Sequence, residues 1–336
     1  MFFNDIIGQP AAVNTFEQVL NSKRLSHAYI FLGPSGVGKF LFARTLAKIL
    51  MCESKSSEWK QKGCTSCRAC KWIDKNCHPN LKITEVEKNK QKISIEAVLD
   101  IQKELMLMPF SKTHRVFIVN EAERMSEEAF NAFLKTLEEP VKDTVIILVT
   151  SNLGSLPQTV VSRAQVIRFY PIEQSLVIKY LEQHLKIKYE QALLLSHLSD
   201  GSIGDACKLH SQNLLDQREH LIKGLLRDNS GRLAKDIIAY AKSNSADNEG
   251  LRLEIIWQLK IIGLFIRDAL WLHHGLPDAK MLNKDRITET KQYQRRYNHK
   301  QVERLLGRLL RSERYIRLNA NYSLVVESLF VPANVA

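Results

Sequence analysis

The sequence predicts an α/β domain built on a parallel sheet, followed by two helical regions. Three observations predict it. Up to Pro171, short apolar runs of strand length alternate with helix-periodic segments, the pattern of a parallel sheet covered on both faces by helices. The stretch GPSGVGKF at Gly33–Phe40 reads, as far as its lysine, as a phosphate-binding loop, G-x-x-x-x-G-K. Beyond Pro171 helical patterning carries on to the end of the chain.

From Asp5 to about Leu20 the pattern is helical. AYIFL at Ala28–Leu32 is a buried strand ending in the glycine loop, and Phe40–Leu50 continues with helical periodicity. A strand before the loop and a helix after it are the context a phosphate loop requires. A cysteine-rich segment then interrupts the helical pattern. Ile95–Leu107 is a helix, RVFIV at Arg115–Val119 a second strand, and Glu127–Leu137 a helix ended near Pro140. Val145–Thr150 is a third strand and Val166–Phe169 a fourth. Ile172 to about Gln212 reads as short helices around a Gly201–Gly204 turn. From Leu214 the chain is mostly helical, with loops near Asn244–Gly250 and His274–Asp278. The expected domains are residues 1–171, 172–213 and 214–336.

The composition is that of a soluble globular chain: 336 residues, 45% hydrophobic and 25% charged. The longest apolar runs, such as VIILV at Val145–Val149, fall far below the roughly 18–20 residues of a membrane span. MFFNDIIGQP has no basic region followed by an apolar core, so no secretory signal is read and a cytoplasmic protein is expected. Net charge is +12, and Lys280–Arg317 concentrates it, with twelve Lys/Arg against Asp285, Glu289, Glu303 and Glu313, a net +8. A basic surface suits a polyanion but does not by itself name a function. KQYQRRYNHK at Lys291–Lys300 mixes tyrosines with cations, which can track a phosphate backbone or meet acidic neighbours. Arg304, Arg308, Arg311, Arg314 and Arg317 form a stripe on one helix face, and Leu305, Leu306, Leu309 and Leu310 form a core or interface face on another.

A phosphate loop works because glycines turn backbone N–H groups inward around phosphate oxygens, while the following helix adds its positive end. Gly33, Gly36, Gly38 and Lys39 supply those parts. Mg²⁺ is then held by a Ser/Thr hydroxyl after the lysine and by an acid after a neighbouring strand. The first position is Phe40. The second, after RVFIV, reads Asn120-Glu121 where Asp-Glu is expected. Phe offers no oxygen and Asn no charge, whereas Mg²⁺ takes hard anionic oxygens. ATP or ADP binding without Mg²⁺ is therefore compatible with the loop, weak or absent, and hydrolysis is not expected. The bland reading is a strand–helix turn.

Cys52, Cys64, Cys67 and Cys70 have the spacing C-x11-C-x2-C-x2-C. In a cytoplasmic chain this favours a metal over disulfides. Four thiolates make a closed, structural Zn²⁺ site. The alternative is four free thiols in an enlarged loop, with Cys77 and His78 as possible substitute ligands. Cys207 is isolated and reads as a small packing residue.

IIGQ at Ile6–Gln9, HAYIFLGPSGVGK at His27–Lys39, the four-cysteine insert, HPN at His78–Asn80, VFIVNEAERMS at Val116–Ser126, NAFLKTLEEP at Asn131–Pro140 and LPQTVVSRA at Leu156–Ala164 together resemble the bacterial DNA polymerase III clamp-loader family. The likeness is close over about the first 210 residues and extends weakly to NANYSLVVESL near the C-terminus, which resembles a final collar helix. Within the family the chain is similar to delta-prime members, whose nucleotide sites are often eroded, more than to gamma/tau motor members. The resemblance implies an AAA+ fold: a P-loop core at 1–171 with a zinc module at 52–70, a helical lid at 172–213, and a helical collar at 214–336 that closes a ring. It also implies that HPN lies beyond the zinc module and leaves the four cysteines as ligands. The family's Ser-Arg-Cys motif maps onto Ser162-Arg163-Ala164, which implies that Arg163 reaches the ATP of an adjacent subunit as an arginine finger. Without the family, Arg163 reads as a surface or ion-pairing arginine. Thr150 matches the sensor-1 position and reads equally as a strand-end residue. GSIGDACK at Gly201–Lys208 lacks the sensor-2 arginine, with Gly204 or Asp205 in its region.

The expectation is a non-catalytic clamp-loader subunit acting with gamma/tau and delta subunits. It reaches the sliding clamp indirectly and meets primer–template DNA through the assembled complex. The alternatives are an active gamma/tau-type motor ATPase and a zinc-containing DNA-binding protein outside any ring.

Overall fold

Five strands, β1 (Ala28–Leu32), β2 (Leu81–Thr84), β3 (Arg115–Val119), β4 (Thr144–Thr150) and β5 (Gln165–Arg168), form one sheet in the order β2-β3-β4-β1-β5. Every pairing is parallel. The computed structural model describes residues 3, 6–54, 64–87, 90–107, 114–212, 214–227, 230–245, 247–278 and 281–330. The chain divides into two compact units, Met1–Lys179 with Asp200–Asp205, and Tyr180–Ser199 with Ala206–Ala336.

The first unit holds the sheet. Its helices are α1 (Pro10–Ser22), α2 (Lys39–Met51), α3 (Arg68–Asp74), α4 (Ile95–Met106), α5 (Glu127–Glu138) and the short α6 (Gln158–Val161). Side chains of a strand alternate between faces, and the central strands bury both. Tyr29 and Phe31 of β1 pack with Val116, Ile118, Val145 and Ile147 against α1 and α2. Ala28 and Ile30 pack with Phe117, Val119, Ile146 and Leu148 against α4 and α5. This two-sided burial explains why β3 and β4 read as continuous apolar runs rather than alternating ones. The fold class is the expected P-loop α/β architecture.

Three local expectations differ. The first helix begins at Pro10 rather than near Asp5, which lies outside the described residues. Gly8 sits at φ +71, a backbone no helix accommodates, and proline is suited to the first helical turn. The sheet has a fifth strand, β2, in LKIT, and a helix, α3, inside the cysteine segment. β2 lies at the sheet edge, is four residues long and is only half buried over its first three residues, so its apolar signal is weak. Residues 55–63 of the cysteine segment lie outside the described residues.

The chain then runs through α7 (Gln174–Leu185), α8 (Tyr189–Leu198), α9 (Ile203–Ser211), α10 (Leu214–Leu226), α11 (Ser230–Ser243), α12 (Asn248–His273), α13 (Ile287–Arg296), α14 (His299–Arg317) and α15 (Tyr322–Phe330). In the second unit the 26-residue α12 is the central element, with Ile255, Ile262, Phe265 and Ile266 fully buried. Asn298 and Gln301 close a capping box at the start of α14, which satisfies two otherwise unpaired amides. The buried Asp268 carboxylate accepts from the Asn283 side chain at 2.7 Å, and Asn283 in turn accepts from Arg218 at 2.9 Å. Arg218 also pairs bidentately with Asp285.

Candidate phosphate loop, arginine and metal centre

The phosphate loop links β1 to α2, and its glycines are there for different reasons. At Gly33 a Cβ would lie 2.3 Å from the Phe169 carbonyl oxygen, so only glycine fits between β1 and the chain leaving β5. Gly36 and Gly38 have φ of +69 and +98, which glycine adopts without penalty. Gln9 closes the loop from behind. Its amide donates to the Val37 carbonyl at 3.2 Å and to the Tyr170 carbonyl at 2.7 Å, and its oxygen accepts from the Tyr170 amide at 3.1 Å. Gln9 stands in the IIGQ motif, but nothing in the sequence marks it as the clasp of a loop about thirty residues away.

Lys39 is 6% exposed. Its Nζ donates to the loop's own carbonyls, Gly33 and Pro34, at 2.5 and 2.6 Å. Burial brings its ammonium down to about 8, opposed by the carboxylates of Glu123, Asp205 and Glu121. The sequence did not single out Glu123. It accepts from both the amide and the hydroxyl of Ser151, while its Oε2 is buried without a hydrogen-bond partner among the described residues. A carboxylate facing the loop's lysine repels phosphate and attracts a cation.

Phe40 is partly buried against the aromatic-rich core of the sheet face that also holds Phe16, Phe31, Phe42 and Phe169. The position at which a metal-binding hydroxyl would stand is thus occupied by core packing. Asn120 donates its side-chain amide to Glu85 at 3.0 Å. Glu121 has φ +54, is exposed, and pairs with Arg124 at 3.0 Å. Thr150 is 1% exposed, and its hydroxyl bonds both the amide and the carbonyl of Asn152, at 3.1 and 3.2 Å.

Residues 200–205 fold onto the loop. The Gly204 amide donates to the Gly36 carbonyl at 3.0 Å. A Cβ on Gly204 would stand 2.8 Å from Gly36 Cα, and one on Gly36 would stand 2.1 Å from Ser202 Oγ. In the stretch where the sequence was expected to lack a sensor-2 arginine, two backbones therefore touch, and a long side chain at Gly204 has no room.

Arg163 follows α6 and is not part of this cluster. Its guanidinium pairs with Glu138 of α5 at 2.8 Å and donates to the Thr159 carbonyl at 2.9 Å, leaving the side chain 36% exposed. Glu138, within the NAFLKTLEEP motif, holds it in one orientation.

Cys52 caps the end of α2, Cys67 caps the start of α3, and the ligand atoms of Cys52, Cys64, Cys67 and Cys70 all lie within 4.8 Å of one another. Zn–S bonds of about 2.3 Å in a tetrahedron need sulfurs roughly 3.8 Å apart, and Cys64 Sγ and Cys70 Sγ stand at 4.0 Å. Backbone amides of Cys64, Cys67 and Cys70 point at the sulfurs of Cys52, Cys64 and Cys67, at 3.4, 3.2 and 3.4 Å, as anionic sulfur favours. Burial pushes Cys52 and Cys70 up; it also raises Cys64, but hydrogen bonds from Ser66 and Cys67 outweigh it and bring that thiol down to about 6. The four residues fit a metal that takes thiolates. Cys77 is exposed and its thiol donates to the Trp72 carbonyl, while His78 turns its Nδ1 to the Asn80 amide.

Much of the basic C-terminal segment is engaged within the second unit. Arg286 pairs with Glu219 and Glu289, Arg317 with Glu313, and Lys291 with Asp278. Arg296 and Arg308 donate to the carbonyls of Leu226 and Ser328. Arg304, Arg311 and Arg314 are exposed. Of the leucines beside them, Leu309 is buried and Leu310 is 64% exposed. Lys280 lies outside the described residues. No described helix is long and apolar enough to cross a membrane.

A family model described as "DNA polymerase III, delta subunit" matches residues 8–173. The DNA polymerase III subunit tau of Bacillus subtilis is 30% identical over 215 residues, covering 62% of this chain and 37% of that one. Subunit delta' of the same organism is 27% identical over 330 residues, covering 96% of this chain and 94% of that one. This chain thus spans little more than a third of the tau relative and nearly all of the delta' relative. Among solved structures, a DNA polymerase III gamma subunit-related protein of Thermotoga maritima is 18% identical with a TM-score of 0.41, covering 95% of this chain and 97% of that one.

Proposed function

We propose a role for this chain within the family to which it belongs, the AAA+ clamp-loader subunits of bacterial DNA polymerase III: a delta-prime-like member that does not turn over ATP itself and presents Arg163 to nucleotide held by a neighbouring subunit. The observation that carries this reading is Phe40, whose partly buried side chain packs against the core at the place where Mg²⁺ needs a hydroxyl. Asn120, engaged with Glu85, adds the loss of the second metal contact. Without the metal, charge on a transferring phosphoryl group loses its main stabiliser.

Arg163 retains the opposite kind of fitness. It is part exposed, presents a planar guanidinium, and is paired with Glu138. A guanidinium supplied in trans offsets transition-state charge and contributes about 10³–10⁵ in rate where it is well placed. The four cysteines would hold a structural Zn²⁺ that ties the end of α2 to the start of α3 and leaves no ligand position open for chemistry. Gly33, Gly36, Gly38 and Lys39 then serve as a scaffold, with at most weak nucleotide binding.

The test is reconstitution with gamma/tau and delta partners, comparing wild type with Arg163→Ala. The expected result is unchanged assembly with reduced ATPase and clamp loading. Unchanged ATPase in the assembled complex overturns the assignment.

One observation favours a second reading, an active motor of the gamma/tau type: the glycines and Lys39 of the loop are all retained. That reading predicts steady-state hydrolysis by the purified chain, abolished in Lys39→Ala. Turnover at background level removes it.

A further inference from the structure

The second unit contains a half-open cavity of about 410 Å³ among α10, α11 and α12, lined in part by Gln212, Gln217, His220, Asp236, Tyr240 and Gln258. Its size falls within the range of small-ligand sites. Its lining is unusual for a helical core. Gln217 is 8% exposed and Gln258 1%, yet both polar atoms of Gln217, the Oε1 of Gln258 and the Oε1 of Gln212 have no hydrogen-bond partner among the described residues. Leaving such a buried group unpaired is costly, and native interiors contain few of them. Several converging on one cavity point to a ligand that pairs them.

The orphaned atoms also say what kind of ligand. The amide nitrogen of Gln258 is committed to the Ile237 carbonyl at 3.3 Å, so the atom left facing the cavity is an acceptor. Gln212 adds a second acceptor, and Gln217 adds one acceptor and one donor. Asp236 brings a carboxylate, with His220 Nε2 3.7 Å away. Glu254, one turn before Gln258 on α12 and 2% exposed, does not line the cavity, and burial raises its carboxyl to about 7, so it adds no fixed charge there. Acceptors outnumber donors and the fixed charge is negative. A phosphate or carboxylate would meet like groups there, whereas a cation rich in N–H donors would satisfy them.

We propose that this cavity binds an alkylammonium or guanidinium group, held by the carbonyls of Gln212, Gln217 and Gln258 with Asp236 as its counter-charge. A free polyamine and the arginine side chain of a partner chain both present this chemistry. On a chain of net charge +12, general electrostatic attraction does not retain a cation, so saturable binding must be local. The site is independent of Arg163 and of the phosphate loop.

The test uses the intact, zinc-supplemented chain and two probes, spermidine and agmatine, by titration calorimetry with thermal unfolding as a second readout. The expected result is one saturable site per chain for at least one probe, with a rise in unfolding temperature. Gln217→Met and Asp236→Asn should each weaken it by at least about tenfold, which is 1.4 kcal/mol. Gln217→Met should also unfold no earlier than wild type without ligand, because it removes two unpaired polar atoms. If Gln217→Met does not fold, Asp236→Asn, at a part-exposed carboxylate, decides. Binding of agmatine alone assigns the site to an arginine side chain, and binding of spermidine alone to a free polyamine. No saturable binding of either probe, or binding undiminished by the folded variants, overturns the proposal.

Discussion

Gly36 and Gly204 meet backbone to backbone, with the Gly204 amide on the Gly36 carbonyl at 3.0 Å and no room for a Cβ on Gly204 short of 2.8 Å from Gly36 Cα. The phosphate loop is thereby held by residues far along the chain, and its free carbonyl is committed. A Cβ at that distance from backbone cannot be relieved by a rotamer change. Gly204→Ala should therefore separate residues 200–205 from the loop. It should destabilise the chain by about 1–3 kcal/mol, with faster amide exchange at Gly204. Unaltered unfolding temperature and exchange would show that the contact is dispensable.

Lys39 makes stability depend on pH. Its folded value, about 8, lies below the ordinary lysine value of 10.5 because of burial. Between these values the unfolded chain binds more protons than the folded one, so this group makes stability rise with pH across that window. Below about pH 8 its ammonium is protonated in both states, and its burial disfavours the fold. Lys39→Met removes the contribution. The difference in unfolding free energy between wild type and Lys39→Met should therefore increase in favour of wild type from pH 8 to pH 10.5. A difference that is flat or falls with pH contradicts the lysine's desolvation.

Glu138 and Arg163 form a part-exposed pair at 2.8 Å, and such pairs contribute no more than about 1 kcal/mol to stability. Glu138→Ala should therefore leave the unfolding temperature within a few degrees of wild type. In a reconstituted complex it should lower ATPase by less than Arg163→Ala does, since the guanidinium remains but loses its orientation. Equal losses in the two variants would mean that orientation is the whole effect. No loss in Glu138→Ala would mean that it has none.

The four cysteines predict one zinc per chain by elemental analysis. Apparent binding free energies of structural sites run to about 10–16 kcal/mol, so strong chelation should lower the unfolding temperature, and zinc should restore it. Cys64→Ser and Cys70→Ser, which remove buried ligands, should each abolish the stoichiometry, while Cys77→Ser should leave it unchanged.

The central strands were legible because β3 and β4 bury both faces, so RVFIV and TVIILVT carry an unbroken apolar signal. β2 was not, because LKIT sits at the edge, and its lysine pairs with Glu104 of α4 rather than breaking the strand. The glycine loop and the cysteine set were legible because local spacing alone brings their atoms together. Gln9, Glu123 and Glu138 were not, because each acts through partners distant in sequence or on another element.

By itself the sequence determined four of the sheet's five strands and the glycine loop, the placing of Phe40 and Asn120 where metal-binding oxygens are expected, and four cysteines at the spacing of metal ligands. These are properties of residue type and short spacing, which local backbone geometry converts directly into structure. Tertiary structure alone decided that the loop is contacted by Gly204, that Lys39 turns to the loop's own carbonyls, and that Arg163 pairs with Glu138. It also decided that the glutamines of the second unit converge on one cavity. Those relationships join residues on separate elements, and only the packing of buried apolar faces sets which of them meet.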